Sequence, residues 1–378
     1  MTDTALRDLA WAEVDRLAPQ LLEISHRIFE RPELCFEEHH AHDVLADALE
    51  HAGLVPTRAA YGLDTAFVAE AGDRGPTVGV ICEYDALPGL GHACGHNVIA
   101  AAGLGAGLAA AAVAERAGGR IRILGTPAEE GGGGKVFMLR AGAFEGLSAA
   151  MMVHPADHDL PELTTLAIQR LAVSFHGEPS HAAAAPHLGR NALDAAVLGY
   201  LNVAALRQHI LPTERVHGVF TDGGGKPNIV PGHAAMEWYV RSPTTEGLHE
   251  LGERVLQCLH AGALAAGCTM EHTWIDPPYA ELRTDPVLLA AYSRHAAELG
   301  RPLGDPAELG HVVGSTDMGN VSQAVPSIHP MIAVAPPGVS IHTPEFAAHA
   351  CGEAGDRAVL DGAKVLVATV LDAWSAAR

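Results

Sequence analysis

A thiol, an imidazole and a carboxylate lie close together in one glycine-rich segment of the chain, residues 82–97. Within it, Asp85, Cys94 and His96 are of the side-chain types that zinc and similar divalent metal ions accept as ligands. Glycines allow the backbone to turn tightly enough to direct two side chains at one point. A single Cys-x-His pair is more often structural, so the metal interpretation depends on the rest of the chain.

Three further groups of potential ligands occur downstream, near the ends of apolar runs typical of buried strands. These are Glu129 and Glu130 after residues 121–124, His154 after residues 151–153, and His342 after residues 331–335. Open parallel sheets place their sites at the carboxyl ends of strands, so we expect these side chains to meet at one edge. The chain has 23 histidines, so any single one could be incidental, and only the recurrence favours a site.

In order and spacing, these motifs resemble those of metallopeptidase family 20, a family of dinuclear-metal aminoacylases, carboxypeptidases and aminobenzoyl-glutamate hydrolases. Residues 82–97 most resemble the branch that holds bacterial aminobenzoyl-glutamate hydrolase and the aminoacylase-like dipeptidases. The resemblance begins at residues 26–38 and runs nearly end to end. It also includes residues 129–130, 154, 180–182, 191–192, 227–231, 314–320 and 342–346.

The resemblance implies a metal centre with two divalent ions, zinc or manganese, and a carboxylate base. The five ligands, with Cys94 in the bridging position, would be Cys94, His96, Glu130, His154 and His342. Asp85 resembles the carboxylate that orients a ligand histidine, and such partners tune the basicity of the ligand. Glu129 would be the general base, which is possible beside Glu130 because adjacent glutamates at a strand end point in different directions.

Three residues further along the chain resemble groups that contact the substrate. His181 would reach the active site of the neighbouring subunit and steady the developing oxyanion, so the resemblance implies a homodimer. Asn228 and Arg241 would hold the substrate, with Arg241 on its free carboxylate, which the planar guanidinium can bind through two oxygens at once. Arg241 could equally be a surface arginine that closes a strand.

The elements that must position these residues fall into two patterns. Residues 1–167 alternate apolar runs with helical stretches, which predicts an α/β domain with a mostly parallel sheet that residues 280–378 complete. Residues 168–279 follow a β-α-β-β-α-β order, which predicts a ferredoxin-like α+β insertion acting as a lid and dimerisation domain. The insertion has predicted strands at 171–175, 216–221, 234–240 and 270–274 and helices at 191–209 and 245–266. The last domain segment has predicted helices at 286–299 and 350–376.

Composition limits the partners and the compartment. A net charge of −21 without a basic patch argues against nucleic acid or an anionic membrane as a partner. Residues 98–114 form an uninterrupted apolar run, but it is rich in Ala and Gly and shorter than the ~20 residues that a span needs, which favours a buried helix. Six scattered cysteines without a disulfide spacing, and the lack of an N-terminal signal pattern, indicate a reduced, cytoplasmic protein.

We therefore expect a metal-dependent amidohydrolase that cleaves a small N-acyl or aminoacyl amino acid with a free carboxylate. A dipeptidase and an aryl-amide hydrolase of the aminobenzoyl-glutamate type stay open as alternatives. The latter would need a second cation for the side-chain carboxylate, which Lys135 or Lys226 could supply. An inert, metal-stabilised dimeric scaffold is a remote alternative, since all five ligand positions and Glu129 are present.

Overall fold

The computed structural model of the chain describes residues 3–306 and 313–376. The chain divides into two units, the first from Met1–Thr164 and Leu282–Arg378 and the second from Thr165–Glu281. The predicted insertion, residues 168–279, lies within the second unit. Its action as a lid or dimerisation domain stays a prediction.

The elements are named in chain order. Before the insertion come α1 (Asp3–Glu30), α2 (His39–His51), β1 (Thr57–Arg58), β2 (Phe67–Ala71), β3 (Thr77–Glu83), α3 (His96–Ala117), β4 (Arg120–Thr126), α4 (Gly134–Arg140), β5 (Leu147–Met151), β6 (His154–Ala156) and β7 (Thr164–Thr165). The second unit contains β8 (Ala167–His176), α5 (Ala192–Leu206), β9 (Arg215–Asp222), β10 (His233–Ser242), α6 (Thr245–Ala265) and β11 (Thr269–Tyr279). The chain then continues with α7 (Pro286–Glu298), β12 (Val313–Gly314), α8 (Met318–Ala324), β13 (Ser327–Ile328), β14 (Met331–Ala333), α9 (Pro344–Ala350) and α10 (Glu353–Ala376).

The first unit is built on a mixed, mostly parallel sheet with the strand order β1-β2-β4-β3-β5-β13. Strands β4, β3, β5 and β13 pair in parallel, whereas β1 and β2 join the edge in antiparallel pairing. All seven residues of β3 are buried, as expected for a central parallel strand covered on both faces. The predicted α/β class is confirmed, and the carboxyl ends of β3 and β4 lie side by side.

Helix α3 packs unusually close to the sheet because its inner face is made of glycine and alanine. A Cβ atom on Gly103 would lie 2.3 Å from the carbonyl oxygen of Ile81, and one on Gly107 would lie 2.5 Å from the Ile123 side chain. Among the described helices, α3 alone is long and apolar enough to cross a membrane, but 89% of its most apolar window is buried inside the protein. As predicted for residues 98–114, it is a core helix, and it fixes His96 at its first turn.

The second unit is a four-stranded antiparallel sheet with the order β11-β8-β10-β9, which is the ferredoxin-like order. Buried positions alternate along β8 and β10, so that one face of the sheet packs against α5 and α6. The two helices begin at capping side chains, Asn191 for α5 and Thr244 for α6.

Two of three expectations about element boundaries are wrong. The first holds, since His154 lies three residues beyond Met151, the last residue of β5, although it is also the first residue of β6, which pairs in parallel with β14. Residues 350–376 form the end of α9 and then α10, with the break at Cys351 and Gly352. His342 lies in a turn before α9, well beyond the end of β14, with a φ of 65°.

Candidate metal centre

Two carboxylates at the end of β3 face the first residue of α3. The Nδ1–H of His96 donates to Asp85 Oδ1 over 3.1 Å, and His96 Nε2 lies 3.2 Å from Glu83 Oε1. Burial alone would raise the pKa of Asp85, but the hydrogen bond from His96 lowers it to about 2. Because Asp85 holds the proton at Nδ1, Nε2 is the His96 nitrogen available to a metal ion.

Cys94 and His154 form the second part of the centre. Cys94 Sγ lies 3.5 Å from His154 Nε2, and both side chains are buried. His154 Nδ1 donates to the carbonyl oxygen of Pro155 over 2.8 Å, so Nε2 is again the free nitrogen. Burial, followed by the charge of His96, lowers the pKa of His154 to about 4, which keeps this imidazole neutral as a metal ligand must be.

Glu130, in the loop after β4, and His342, in the turn before α9, complete the cluster. His342 Nε2 lies 3.4 Å from Glu130 Oε1, which in turn lies 3.8 Å from His96 Nε2. The backbone N–H of His342 donates to the carbonyl of Ala93 over 2.8 Å, which holds the imidazole beside Cys94. The structure thus brings together all five predicted ligands.

The donors present suit divalent metal ions. Three sets of potential ligand atoms each lie within 4.8 Å of one another: Cys94, His96 and His154; Cys94, Glu130 and His342; and Glu83, His96 and Glu129. Cys94 and His96 each belong to two of these sets, and the bridging position of Cys94 stays a prediction. Glu83 Oε1, His96 Nε2 and Glu130 Oε1 are buried without a hydrogen-bond partner, a costly state that a bound cation would relieve.

Glu129, the predicted base, lies beside this cluster. It follows Ala128, which has a left-handed φ of 59°, and it is buried, with a relative exposure of 8%. Burial, followed by the negative charges of Glu83, Glu130 and Asp317, raises the pKa of Glu129 well above its ordinary value. A carboxylate whose pKa is raised in this way is suited to accept a proton near neutral pH.

A buried ionic triad, formed by Glu83, Lys135 and Asp317, lies directly behind these residues. Lys135 Nζ donates to Glu83 Oε2 and, over 2.7 Å, to Asp317 Oδ1, while its backbone N–H donates to Asp317 Oδ2 over 2.8 Å. All three residues have zero exposure. The suggestion that Lys135 could meet a substrate carboxylate is therefore wrong, because its ammonium group is enclosed by two carboxylates of the protein.

His329, in the turn between β13 and β14, is a buried histidine that the sequence did not single out. Its ring centroid lies 5.2 Å from that of His154, and neither ring nitrogen has a hydrogen-bond partner among the residues that the structure describes. Burial, followed by the charge of His154, lowers the pKa of His329 to about 3. The imidazole of His329 is therefore neutral in the folded protein near pH 7.

We expect His329 to make the metal-depleted protein sensitive to acid. Between pH 6.5 and about 3 the unfolded chain binds a proton at His329 that the folded chain excludes. The free energy of unfolding should then fall with decreasing pH, by about 1.4 kcal/mol per pH unit for this group. Urea unfolding of wild type and His329→Leu from pH 7 to pH 5 measures the contribution as a shallower slope in the variant. Parallel slopes would contradict it.

The remaining predicted residues lie in the second unit. The Nδ1 atom of His181 accepts the N–H groups of Ala183 and Ala184, which fixes the proton on the exposed Nε2. Asn228 lies beside it, since its carbonyl accepts the N–H of Ala182 and the next residue bridges to His181. Arg241 is near the opposite end of β10. The roles of these three residues stay predictions.

Sequence reasoning missed Glu83, His329 and the triad. Glu83 had a readable signal, since it is the last residue of β3 and stands two positions before Asp85, at the spacing that places strand side chains on one face. His329 was lost among the 23 histidines of the chain. Asp317 belongs to the motif of residues 314–320, but no pattern in the sequence pairs it with Lys135.

Comparison with known proteins adds independent information. The pattern of "Peptidase family M20/M25/M40" matches residues 79–372. A mouse protein named Xaa-Arg dipeptidase is 40% identical to this chain, over 97% of the chain and 88% of the relative. One of the subunits of the p-aminobenzoyl-glutamate hydrolase of Escherichia coli is 36% identical over 68% of the chain and 58% of the relative.

Solved structures share the fold. A dinuclear metal-binding peptidase of the M20 family from Bacillus subtilis superimposes with a TM-score of 0.75 at 20% identity, covering 96% of this chain and 99% of that structure. At this identity the likeness concerns the fold alone, and it extends over both units.

Proposed function

The chain belongs to peptidase family M20/M25/M40 and is a hydrolase of amide bonds, and within that activity we propose that it is a metal-dependent dipeptidase for substrates with a basic C-terminal residue. The observation that carries the proposal is the convergence of Cys94, His96, Glu130, His154 and His342 around one point, with Glu129 beside them. The chain also has 40% identity to a relative named Xaa-Arg dipeptidase along nearly its whole length.

Two divalent ions would be held by these side chains, with Cys94 between them. A thiolate ligand favours zinc, whereas the three imidazoles and the carboxylate would also accept manganese. Burial raises the pKa of the Cys94 thiol, so metal binding must displace its proton and affinity should rise with pH. When bound, such ions lower the pKa of a water molecule from 15.7 towards ~7 and polarise the substrate carbonyl.

The residues of the chain then handle the proton and the charge. Glu129 takes the proton from the attacking water and delivers it to the leaving nitrogen, a role that its raised pKa suits. Asp85 keeps His96 in one tautomer and orientation throughout. His181 presents Nε2–H as a donor for the oxyanion of the tetrahedral intermediate, and Arg241 takes the substrate carboxylate.

The geometry within the second unit supports a homodimer. Asn228 lies beside His181, before the first residue of β10, whereas Arg241 is near its end. An extended strand rises ~3.3 Å per residue, so the eight residues from His233 to Arg241 alone separate these groups by roughly 25 Å. A dipeptide is only ~7 Å long. His181 and Arg241 of one chain therefore cannot both contact the same dipeptide, whereas in a dimer each chain could contribute one of them.

The dipeptidase interpretation is favoured over aminobenzoyl-glutamate hydrolysis by the enclosure of Lys135. Aminobenzoyl-glutamate carries a second carboxylate, for which Lys135 and Lys226 are the candidate partners. Lys135 is bound to Glu83 and Asp317, so Lys226 is the remaining candidate. The six cysteines are free, which supports a reducing, cytoplasmic setting, and the net charge of −21 makes nucleic acid and anionic membranes poor partners.

The proposal predicts a specific order of substrates. Chelated enzyme restored with zinc or manganese should hydrolyse Ala-Arg at least ~10-fold faster, in kcat/KM, than Ala-Glu, N-acetyl-arginine or p-aminobenzoyl-glutamate, corresponding to ~1.4 kcal/mol in the transition state. Release of free amine measures each rate, and the chelated enzyme is the control without metal.

Other outcomes would assign the protein differently. A preference for N-acetyl-arginine would identify an acylase, and a preference for p-aminobenzoyl-glutamate would identify the aryl-amide hydrolase. If none of these substrates is hydrolysed while two metal equivalents are bound per chain, the inert scaffold is favoured and the proposed function is wrong.

A further inference from the structure

Glu38 is a buried carboxylate that the proposed mechanism does not use. It has zero exposure, and its two oxygens accept three hydrogen bonds from three separate segments. Oε1 accepts the backbone N–H groups of Phe36 and Ala128, each over 2.9 Å, and Oε2 accepts the hydroxyl of Thr65 over 2.8 Å. A buried carboxylate needs such donors, so all of its partners are held in fixed positions.

Two of these partners have unusual backbone conformations. Phe36 has a φ of 64° and Ala128 a φ of 59°, both in the left-handed region that residues with a Cβ rarely adopt. Conformations of this kind persist only where the surroundings impose them. Since the N–H groups of both residues bond to the same oxygen, Glu38 is the common group that holds them.

The segment held by Glu38 contains the proposed base. Glu129 lies between Ala128, whose N–H is bound by Glu38, and Glu130, whose N–H donates to Asp85 Oδ2 over 2.9 Å. Two buried carboxylates therefore anchor the backbone on either side of Glu129. Asp85 also orients His96, whereas Glu38 contacts no predicted ligand by any hydrogen bond of the described residues.

We infer that Glu38 is a positioning residue for Glu129, setting the backbone from which the base reaches the metal centre. The inference rests on the proposed role of Glu129 as the base. Small displacements of a catalytic group can cost ~100-fold in rate, so loss of this anchor should lower kcat and leave substrate binding intact.

The test compares Glu38→Ala with Glu38→Gln. We expect Glu38→Ala to lower kcat ~10–100-fold with KM and metal content unchanged, because the Ala128 N–H loses its acceptor. Glu38→Gln should recover most of the rate, since its amide oxygen can still accept both backbone N–H groups and its NH₂ can donate to the Thr65 hydroxyl. If Glu38→Ala does not fold, Glu38→Asp replaces it, because the shorter side chain keeps the charge but cannot reach Ala128.

Glu33 provides the matched control. Its carboxylate also accepts two backbone N–H groups, those of His40 and Ala41 at the start of α2, and no hydrogen bond among the described residues joins it to the segment around Glu129. Glu33→Ala should lower the melting temperature without changing kcat. A second readout needs no turnover: in metal-depleted protein, hydrogen exchange across residues 127–131 should accelerate in Glu38→Ala and stay unchanged in Glu33→Ala.

The outcomes distinguish failure of the role inferred for Glu38 from failure of the proposed function. Unchanged kcat and unchanged exchange in folded Glu38→Ala or Glu38→Asp, with an active wild type, would overturn the inference and leave the proposed function standing. A loss of kcat in Glu33→Ala equal to that in Glu38→Ala would reduce Glu38 to a general structural role. Inactive wild type would instead count against the proposed function, and the exchange comparison would still test the anchor.

Discussion

Replacing Glu129 with glutamine is expected to lower kcat by ~10²–10⁴-fold, with KM and the metal content of two ions per chain unchanged. Glutamine has the shape of glutamate but cannot accept the proton of the attacking water or deliver it to the leaving nitrogen. The expected effect is large because each of the other described carboxylates of the cluster already has a role. Glu130 is a predicted ligand, Asp85 orients His96, and Glu83 is bound to Lys135.

The same substitution should not destabilise the fold. Burial and the negative charges of Glu83, Glu130 and Asp317 raise the pKa of Glu129, so the folded protein disfavours its ionised form. A group with a raised pKa loses stabilisation as pH rises through that pKa, and a neutral amide avoids this loss. The free energy of unfolding of the metal-depleted variant at pH 8 should therefore equal or exceed that of wild type.

Glu130→Gln is the matched control, since it makes the same chemical change at the next residue. Because Glu130 is a predicted ligand, this variant should lose metal as well as turnover, measured by metal analysis after dialysis. If Glu129→Gln retains turnover, the base must lie elsewhere. If Glu129→Gln loses metal like Glu130→Gln, Glu129 is a ligand and not a base.

The ligands of this centre could be predicted because their types and positions are local properties. Cys94 and His96 stand two residues apart in a glycine-rich turn, and Glu130 lies four residues after the end of the buried strand β4. His154 lies shortly after the end of β5, as predicted, and it also begins β6. Its place in the cluster depends on the pairing of β6 with β14, which joins segments far apart in sequence.

The groups that support the ligands could not be predicted in the same way. Lys135 is 52 residues from Glu83 and 182 from Asp317, and only the packing of α4 and α8 at the end of the sheet brings them together. Glu38 is 90 residues from Ala128. Such contacts leave no periodic pattern in the sequence, since each partner alone resembles an ordinary residue of a loop or a helix.

Lys135→Met is expected to lower the free energy of unfolding by ~3–5 kcal/mol, because it removes the ammonium that Glu83 and Asp317 share inside the protein. Methionine fills a similar volume, so the loss measures charge and hydrogen bonding rather than a cavity. Lys364→Met is the matched control. Its ammonium lies 2.6 Å from Asp15, whose side chain is 61% exposed, and such surface pairs contribute at most ~1 kcal/mol.

The pH dependence distinguishes loss of a counter-charge from a packing defect. In wild type, burial raises the pKa of Asp317 to about 6 even though Lys135 opposes the shift, and the ammonium lowers the pKa of Glu83 against the effect of burial. Without Lys135 both carboxyls should take up protons in the folded state. A folded state that binds more protons than the unfolded one becomes less stable as pH rises. The deficit of Lys135→Met, measured by urea unfolding, should therefore be larger at pH 8 than at pH 5.5.

A second substitution then tests whether the triad acts as a unit. In Lys135→Met/Asp317→Asn one buried negative charge is removed together with the ammonium, so part of the lost stability should return, and the two changes should not be additive. Glu83 still lacks its ammonium partner in this variant, and its Oε1 lies 3.2 Å from His96 Nε2, so metal affinity should remain reduced even where the fold recovers. A deficit independent of pH, or strict additivity, would mean that Lys135 stabilises the fold by packing and not by balancing the charges behind the metal centre.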